Sequence, residues 1–211
     1  MRRKGLRVLY MYNGIFMLAA NLLVPIYSVY TQQFQSSVFS ISLVWGVFLV
    51  STTLFSLLLT WNGERIKKQR QENFLMIGYL VRVVVWLSFI FIGNLWQLMA
   101  LQVLLGLGEA LGSPAFDALF SEKLDSKNRL IEYSRWKVFS NLMTAIGTVA
   151  GGAVVSWLGF PVLFVIMAFL ALVSFGGILI SRVHLRPMPQ WEYALQPAQS
   201  PQDPENEDEE E

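Results

Sequence analysis

The chain has 211 residues, 54% of them hydrophobic, and a mean hydropathy of +0.46, a balance that excludes an ordinary soluble domain. Its net charge of +1 is a cancellation of 16 basic against 15 acidic residues, with an acidic end (Asp203, Glu205 and residues 207–211) offsetting basic groups elsewhere, and it gives no argument for nucleic-acid binding. There is no cysteine, which removes disulfides, thiolate metal sites and cysteine nucleophiles together.

Six apolar stretches follow one another along the chain, at 6–30, 38–59, 74–92, 95–119, 138–158 and 162–180, each near the ~20 residues that cross ~30 Å of hydrocarbon. The first follows Arg2, Arg3, Lys4 and Arg7, as a signal peptide's apolar core would, but it is too long for one and lacks a small-residue cleavage site, so it reads as a retained helix. The connections then alternate. Residues 31–37, 93–94 and 159–161 are short and carry no charge. The others carry Arg65, Lys67, Lys68 and Arg70, then Lys123, Lys127, Arg129, Arg135 and Lys137, then Arg182 and Arg186. By the positive-inside rule the charged connections face the cytoplasm. The expectation is therefore an all-α, multi-pass protein of the plasma (inner) membrane with six transmembrane helices and both termini cytoplasmic. The connection at 121–137 is long enough for an amphipathic helix lying on the inner surface. A transmembrane domain over 1–186 precedes 187–211, a stretch rich in Pro, Gln, Glu and Asp that predicts a disordered acidic cytoplasmic tail.

Polar groups are costly in hydrocarbon, so their placement indicates which helix faces meet water. In the fourth span Gln102, Gly106, Glu109, Ser113 and Asp117 project within about 80° of one another, and in the first Tyr10, Asn13, Met17, Asn21 and Ser28 share a similar arc. Asn13, Asn21, Gln102, Glu109 and Ser113 are therefore candidates for a cavity. The sixth span is almost wholly apolar and suits a lipid-facing position, as does the third apart from Arg82. Arg82 and Glu109 lie at similar depth in spans joined by a tight turn, and pair either as a structural lock or with Glu109 as a group that titrates or holds substrate. In the fifth span Gly147, Gly151 and Gly152 are small residues at spacings that let helices approach, within the bundle or between subunits.

These residues resemble one six-helix half of a major facilitator superfamily transporter. The loop after the second span reads Thr60-Trp61-Asn62-Gly63-Glu64-Arg65-Ile66-Lys67-Lys68-Gln69, similar to the family's Gly-x-x-x-Asp-Arg-x-Gly-Arg-Lys motif, with Glu64, Arg65 and Lys68 matching by type. The resemblance implies a cytoplasmic charge cluster of these three with an acid at the inner end of span four, for which Asp117 and Glu122 are the candidates. The stretch from Gln102 to Ala110 resembles the Arg-x-x-Gln-Gly-x-Gly-Ala-Ala motif with Gln102 in place of the arginine linked to proton coupling, and Gly147 to Gly152 resembles the antiporter Gly-Pro-x-x-Gly-Gly motif with Thr148 in place of proline. The resemblance also implies that the first and fourth helices line a cavity while the third and sixth lie outside.

Enzyme chemistry has no foothold: the single histidine, His184, lies beyond the last span, and Gly106-Leu107-Gly108-Glu109 only superficially resembles the Gly-x-Gly-Asp of membrane aspartyl proteases, which need two deep aspartates. No cofactor, metal or nucleotide motif is present. The expected function is movement of a small solute by alternating access, with the lipid bilayer and a second copy or related half as partners. The alternative is a non-transporting membrane scaffold or a truncated half-transporter.

Overall fold

The structure is a computed structural model that describes residues 2–34, 37–61, 71–124 and 128–182. Every element among them is helical: α1 (Arg2–Asn21), a 3-10 turn (Val24–Ile26), α2 (Tyr27–Gln32), α3 (Val38–Trp61), α4 (Gln71–Ser88), α5 (Leu95–Lys123), α6 (Arg129–Leu158) and α7 (Phe160–Ile180).

The boundaries have local causes. Pro25 has no N–H to donate, so the expected single helix over 6–30 is interrupted after Asn21 and resumes as α2. Pro114 inside α5 has the same deficit, yet the helix continues through it to Lys123. Asn94 caps α5 by accepting from the Gln97 backbone N–H at 2.9 Å, while the Gln97 side chain accepts from Gly93 N–H at 2.8 Å, a reciprocal arrangement close to a capping box. Gly159, at φ +82°, is the single residue between α6 and α7, and Pro161 stands in the first turn of α7. Among the described residues of 121–137 no separate surface helix stands: α5 runs to Lys123 and α6 starts at Arg129, so Arg129, Arg135 and Lys137 occupy the first turns of a long helix.

Among the described residues five helical units are long and apolar enough to cross a membrane: Lys4–Gln32, α3, α5, α6 and α7. The third expected span is displaced, α4 beginning three residues earlier and ending four earlier than 74–92, and within its 18 residues it carries Glu72 and Arg82. Packing places α4 against α5 and α7, α3 against α5, and α1 against α6 and α7. The core runs through Leu9, Leu75, Tyr79, Leu98, Leu163, Phe164, Met167 and Ile178, all nearly inaccessible. Two aromatic clusters close the ends of the bundle. Tyr30, Phe89, Phe160 and Phe164 meet at one end, where the Tyr30 hydroxyl donates to the Phe89 carbonyl at 2.7 Å, and Tyr10, Phe116, Phe120 and Trp136 meet at the other.

The lipid-facing assignment of the sixth span needs correction. Within its most apolar stretch 44% of α7 is buried, against 11% of α3. A helix that is apolar all round carries no hydropathic mark of its inner face, and close packing selects it. In α7 that face includes Gly177, against which the Tyr12 ring lies, while Val165, Phe169 and Leu172 point outward.

Candidate functional site

The middle of the bundle holds an ion pair. Glu109 is the midpoint of α5, about 21 Å from either end at 1.5 Å per residue. Arg82 on α4 reaches across to it, its Nη2 donating to Glu109 Oε2. The rest of the guanidinium is also engaged: Nη1 donates to the carbonyls of Gly78 at 3.2 Å and Gly108 at 3.0 Å, and the group lies 4.9 Å from the centre of the Phe16 ring. Three glycines make the space. A Cβ on Gly78 would stand 2.8 Å from Gly112 Cα, and one on Gly112 would stand 2.8 Å from Arg82 Nη1. Arg82 is only 5% exposed, whereas the Glu109 side chain is 37% exposed.

That exposure opens into cavities on both sides of the pair. Toward the Lys123 end of α5, an open cavity of about 400 Å³ is lined by residues of α1, α4, α5 and α6. Asn13, Asn21, Glu109, Ser113 and Asp117 all line it. Toward the Asn94 end lies a smaller chamber of about 140 Å³, lined by Gln102, Tyr27 and several aromatic side chains. Arg82 and Glu109 line both, so the ion pair forms a septum between a polar and an aromatic space.

Within the larger cavity Asn13 is held by Tyr79, whose hydroxyl donates to Asn13 Oδ1 at 2.8 Å, and Asn21 Nδ2 donates to its own helix at the Met17 carbonyl. Ser28, expected on the same arc, lies past the break at Pro25, is exposed and lines neither space. Gln102 is fully buried, with Nε2 donating to the Tyr27 hydroxyl. Asp117 lines the larger cavity, and Glu122 in the last turn of α5 does not. Glu64, Arg65 and Lys68 lie outside the described residues, as does 187–211, so neither the charge cluster nor the tail is described.

The glycines of α6 behave differently from one another. A Cβ on Gly147 would stand 2.7 Å from the Leu18 carbonyl, and one on Gly151 would overlap the Leu22 backbone, so these two admit the end of α1. A Cβ on Gly152 would face open space, with nothing among the described residues within 4 Å, because the next residue points about 100° further round the helix.

Several cavity residues were missed by sequence reading: Tyr79, Tyr133, Trp136 and Ser140 in the larger cavity, and Tyr27, Trp45 and Trp86 in the chamber. Lys137 also lines the larger cavity, although in the sequence it counts only as one more basic residue of a charged connection. Tyr and Trp carry a polar tip on an apolar body, so hydropathy averages them into the span. A chain of membrane-length helices around a central polar cavity, with an ion pair at mid-depth, has the form of a transporter bundle. No curated protein matches the sequence. The family model of the Major Facilitator Superfamily does, over residues 9–202, and the chain belongs to that superfamily of multi-pass membrane transporters.

Proposed function

We propose that this chain is a secondary transporter that moves a small solute by alternating access, working as a homodimer or with a related half. The observation that carries this reading is the cavity of about 400 Å³ at mid-depth, walled by Asn13, Asn21, Glu109, Ser113 and Asp117. In this superfamily two six-helix halves hold substrate between them near the midplane. Here α4 serves as the third of the six spans, its short apolar length compensated by burial against α5 and α7, with both chain ends on the cytoplasmic side of the plasma (inner) membrane. Left facing lipid, a central charge would cost about 2.5–3.5 kcal/mol. A second half covers it. Both α3 and α6 expose long apolar faces, including Leu54 and Leu58 on one and Val138 and Val149 on the other, on which such a half would sit.

The test is a proteoliposome flux screen across solute classes, run beside crosslinking between copies. Glu109→Gln keeps an acceptor for Arg82 but removes the carboxylate charge, and is expected to abolish flux while leaving the crosslinked dimer intact. A strictly monomeric particle with no flux for any solute class, and with labels at Asn21 and Glu109 closed to aqueous reagents, overturns the proposal in favour of a scaffold or a truncated half. Tight engagement of Arg82 by Glu109 and two carbonyls is the one feature that speaks for that second reading, because it equally serves a static hairpin.

A further inference from the structure

The larger cavity is lined by four charged side chains, and only two of them are spent on each other. Arg82 and Glu109 form the ion pair at its deep end. Asp117 on α5 and Lys137 on α6 line the same space, and neither side chain has an ion-pair or hydrogen-bond partner among the described residues. Both residues are exposed. Counting ~1.5 Å per residue, Asp117 lies about 9 Å from the Lys123 end of α5 and Lys137 about 12 Å from the Arg129 start of α6. The rings of their chain neighbours, Phe116 and Trp136, meet with centroids 5.1 Å apart, which ties the two helices together at this depth. Among the described residues, then, the cavity presents one uncompensated anion and one uncompensated cation at a similar level.

We propose that the larger cavity binds a small zwitterion, an amino acid with an aliphatic side chain, whose ammonium meets Asp117 and whose carboxylate meets Lys137. Charge complementarity carries the assignment. A simple cation would be drawn to Asp117 but would share the space with the Lys137 ammonium, and a simple anion would face Asp117 in turn, whereas a molecule bearing both charges satisfies both residues. Asp117 and Lys137 do not pair with each other, so a bridging molecule displaces no existing contact. The Lys137 ammonium sits on a flexible four-carbon stem and can adjust to the carboxylate. Ser113, one turn from Asp117 on the same face of α5, adds a hydroxyl beside the ammonium. On the first span the accessible apolar lining is Met17, Ala20 and Val24, which are aliphatic and receive the side chain. A volume of about 400 Å³ falls within the ~300–1,000 Å³ of small-molecule sites. The assignment deepens the transporter reading by naming a substrate class, and it rests on that reading only for the idea that the occupant moves.

The test is calorimetric titration of the full chain in nanodiscs, with empty nanodiscs as the partition blank. L-Leucine is compared with 3-methylbutylamine, which is leucine without its carboxylate, and with 4-methylpentanoate, which is leucine without its ammonium. Leucine is expected to bind saturably and about tenfold tighter than either, the scale of one hydrogen bond between charged groups. Asp117→Asn is expected to weaken leucine by about the same factor and to leave 4-methylpentanoate no weaker, and Lys137→Gln to weaken leucine likewise and to leave 3-methylbutylamine no weaker. The wild-type comparison stands even where a variant does not fold. Binding of the amine or of the acid as tight as that of leucine, no saturable leucine heat, or a leucine affinity unchanged in either folded variant overturns the proposal. Because the readout is binding, the two readings separate: leucine binding without flux of any solute removes the transporter and keeps the site, while flux of another solute without leucine binding does the reverse.

Discussion

Two of the helix contacts that rely on glycine in this bundle use it for opposite purposes. Between α4 and α5, Gly112 clears space for a side chain, and Arg82 occupies it with its charge met by Glu109, while Gly78 lets the α5 backbone come close. Between α1 and α6, Gly147 and Gly151 clear space for a backbone, and the last turn of α1 before the Pro25 break rests on bare α6. At Gly112 the nearest partner is a side chain that can be removed; at Gly151 it is main chain alone. Small residues in membrane helices are commonly read as a license for close approach. Here the same residue type supports a polar network in one contact and a steric fit in the other, so the two contacts should fail differently.

The largest effect is expected at the ion pair. Glu109→Leu strands a guanidinium that is only 5% exposed, and loss of one partner of a buried pair costs about 3–5 kcal/mol. Arg82→Leu is expected to cost less, because the carboxylate left behind is 37% exposed and opens to the cavities. Changing both to leucine should recover much of the loss, since nothing charged remains. Melting in detergent, ranked over the three variants, checks this. A double variant no more stable than Glu109→Leu would mean the two side chains do not act as a pair.

The backbone contact should respond next. Gly151→Ala drives a methyl into the Leu22 main chain, which cannot rotate away as a side chain would, and overpacking of this kind costs about 1–3 kcal/mol. Gly152→Ala, its neighbour, meets open space and is expected to leave the melting temperature unchanged. If both variants melt alike, the end of α1 does not lie on Gly151.

How much of this was legible in the sequence follows the same division. The apolar runs locate the membrane-length helices, because hydropathy is averaged over a whole span and survives errors of a few residues at each end. The approach of Arg82 to Glu109 follows from the turn between α4 and α5, which is too short for anything but antiparallel neighbours. Which glycine receives a backbone and which faces nothing was not legible, since Gly151 and Gly152 are adjacent and differ only by 100° of rotation. Prolines were equally ambiguous: Pro25 accompanies a break and Pro114 does not. The inward face of α7 and the aromatic chamber were invisible because apolar and amphipathic side chains carry no periodic signal in a helix that is apolar all round.

Gly112 gives the smallest effect and the sharpest distinction between the contacts. A Cβ there would stand 2.8 Å from Arg82 Nη1 but an ordinary 3.7 Å from Gly78 Cα, so alanine is opposed by the arginine and not by the opposing helix. Arg82 cannot simply swing aside, because Nη1 is already held by the carbonyls of Gly78 and Gly108. Gly112→Ala should therefore cost about 1 kcal/mol, the scale of one hydrogen bond displaced. In a background of Arg82→Leu with Glu109→Leu the obstacle is gone, and the same change should cost nothing measurable. A double-mutant cycle reports that difference directly. Run on Gly151→Ala, the cycle should return additivity, because the backbone of Leu22 is unaffected by what happens at Arg82. Equal coupling at both glycines would show that the contacts share one mechanism, and the distinction between room for a side chain and room for a backbone would have to be abandoned.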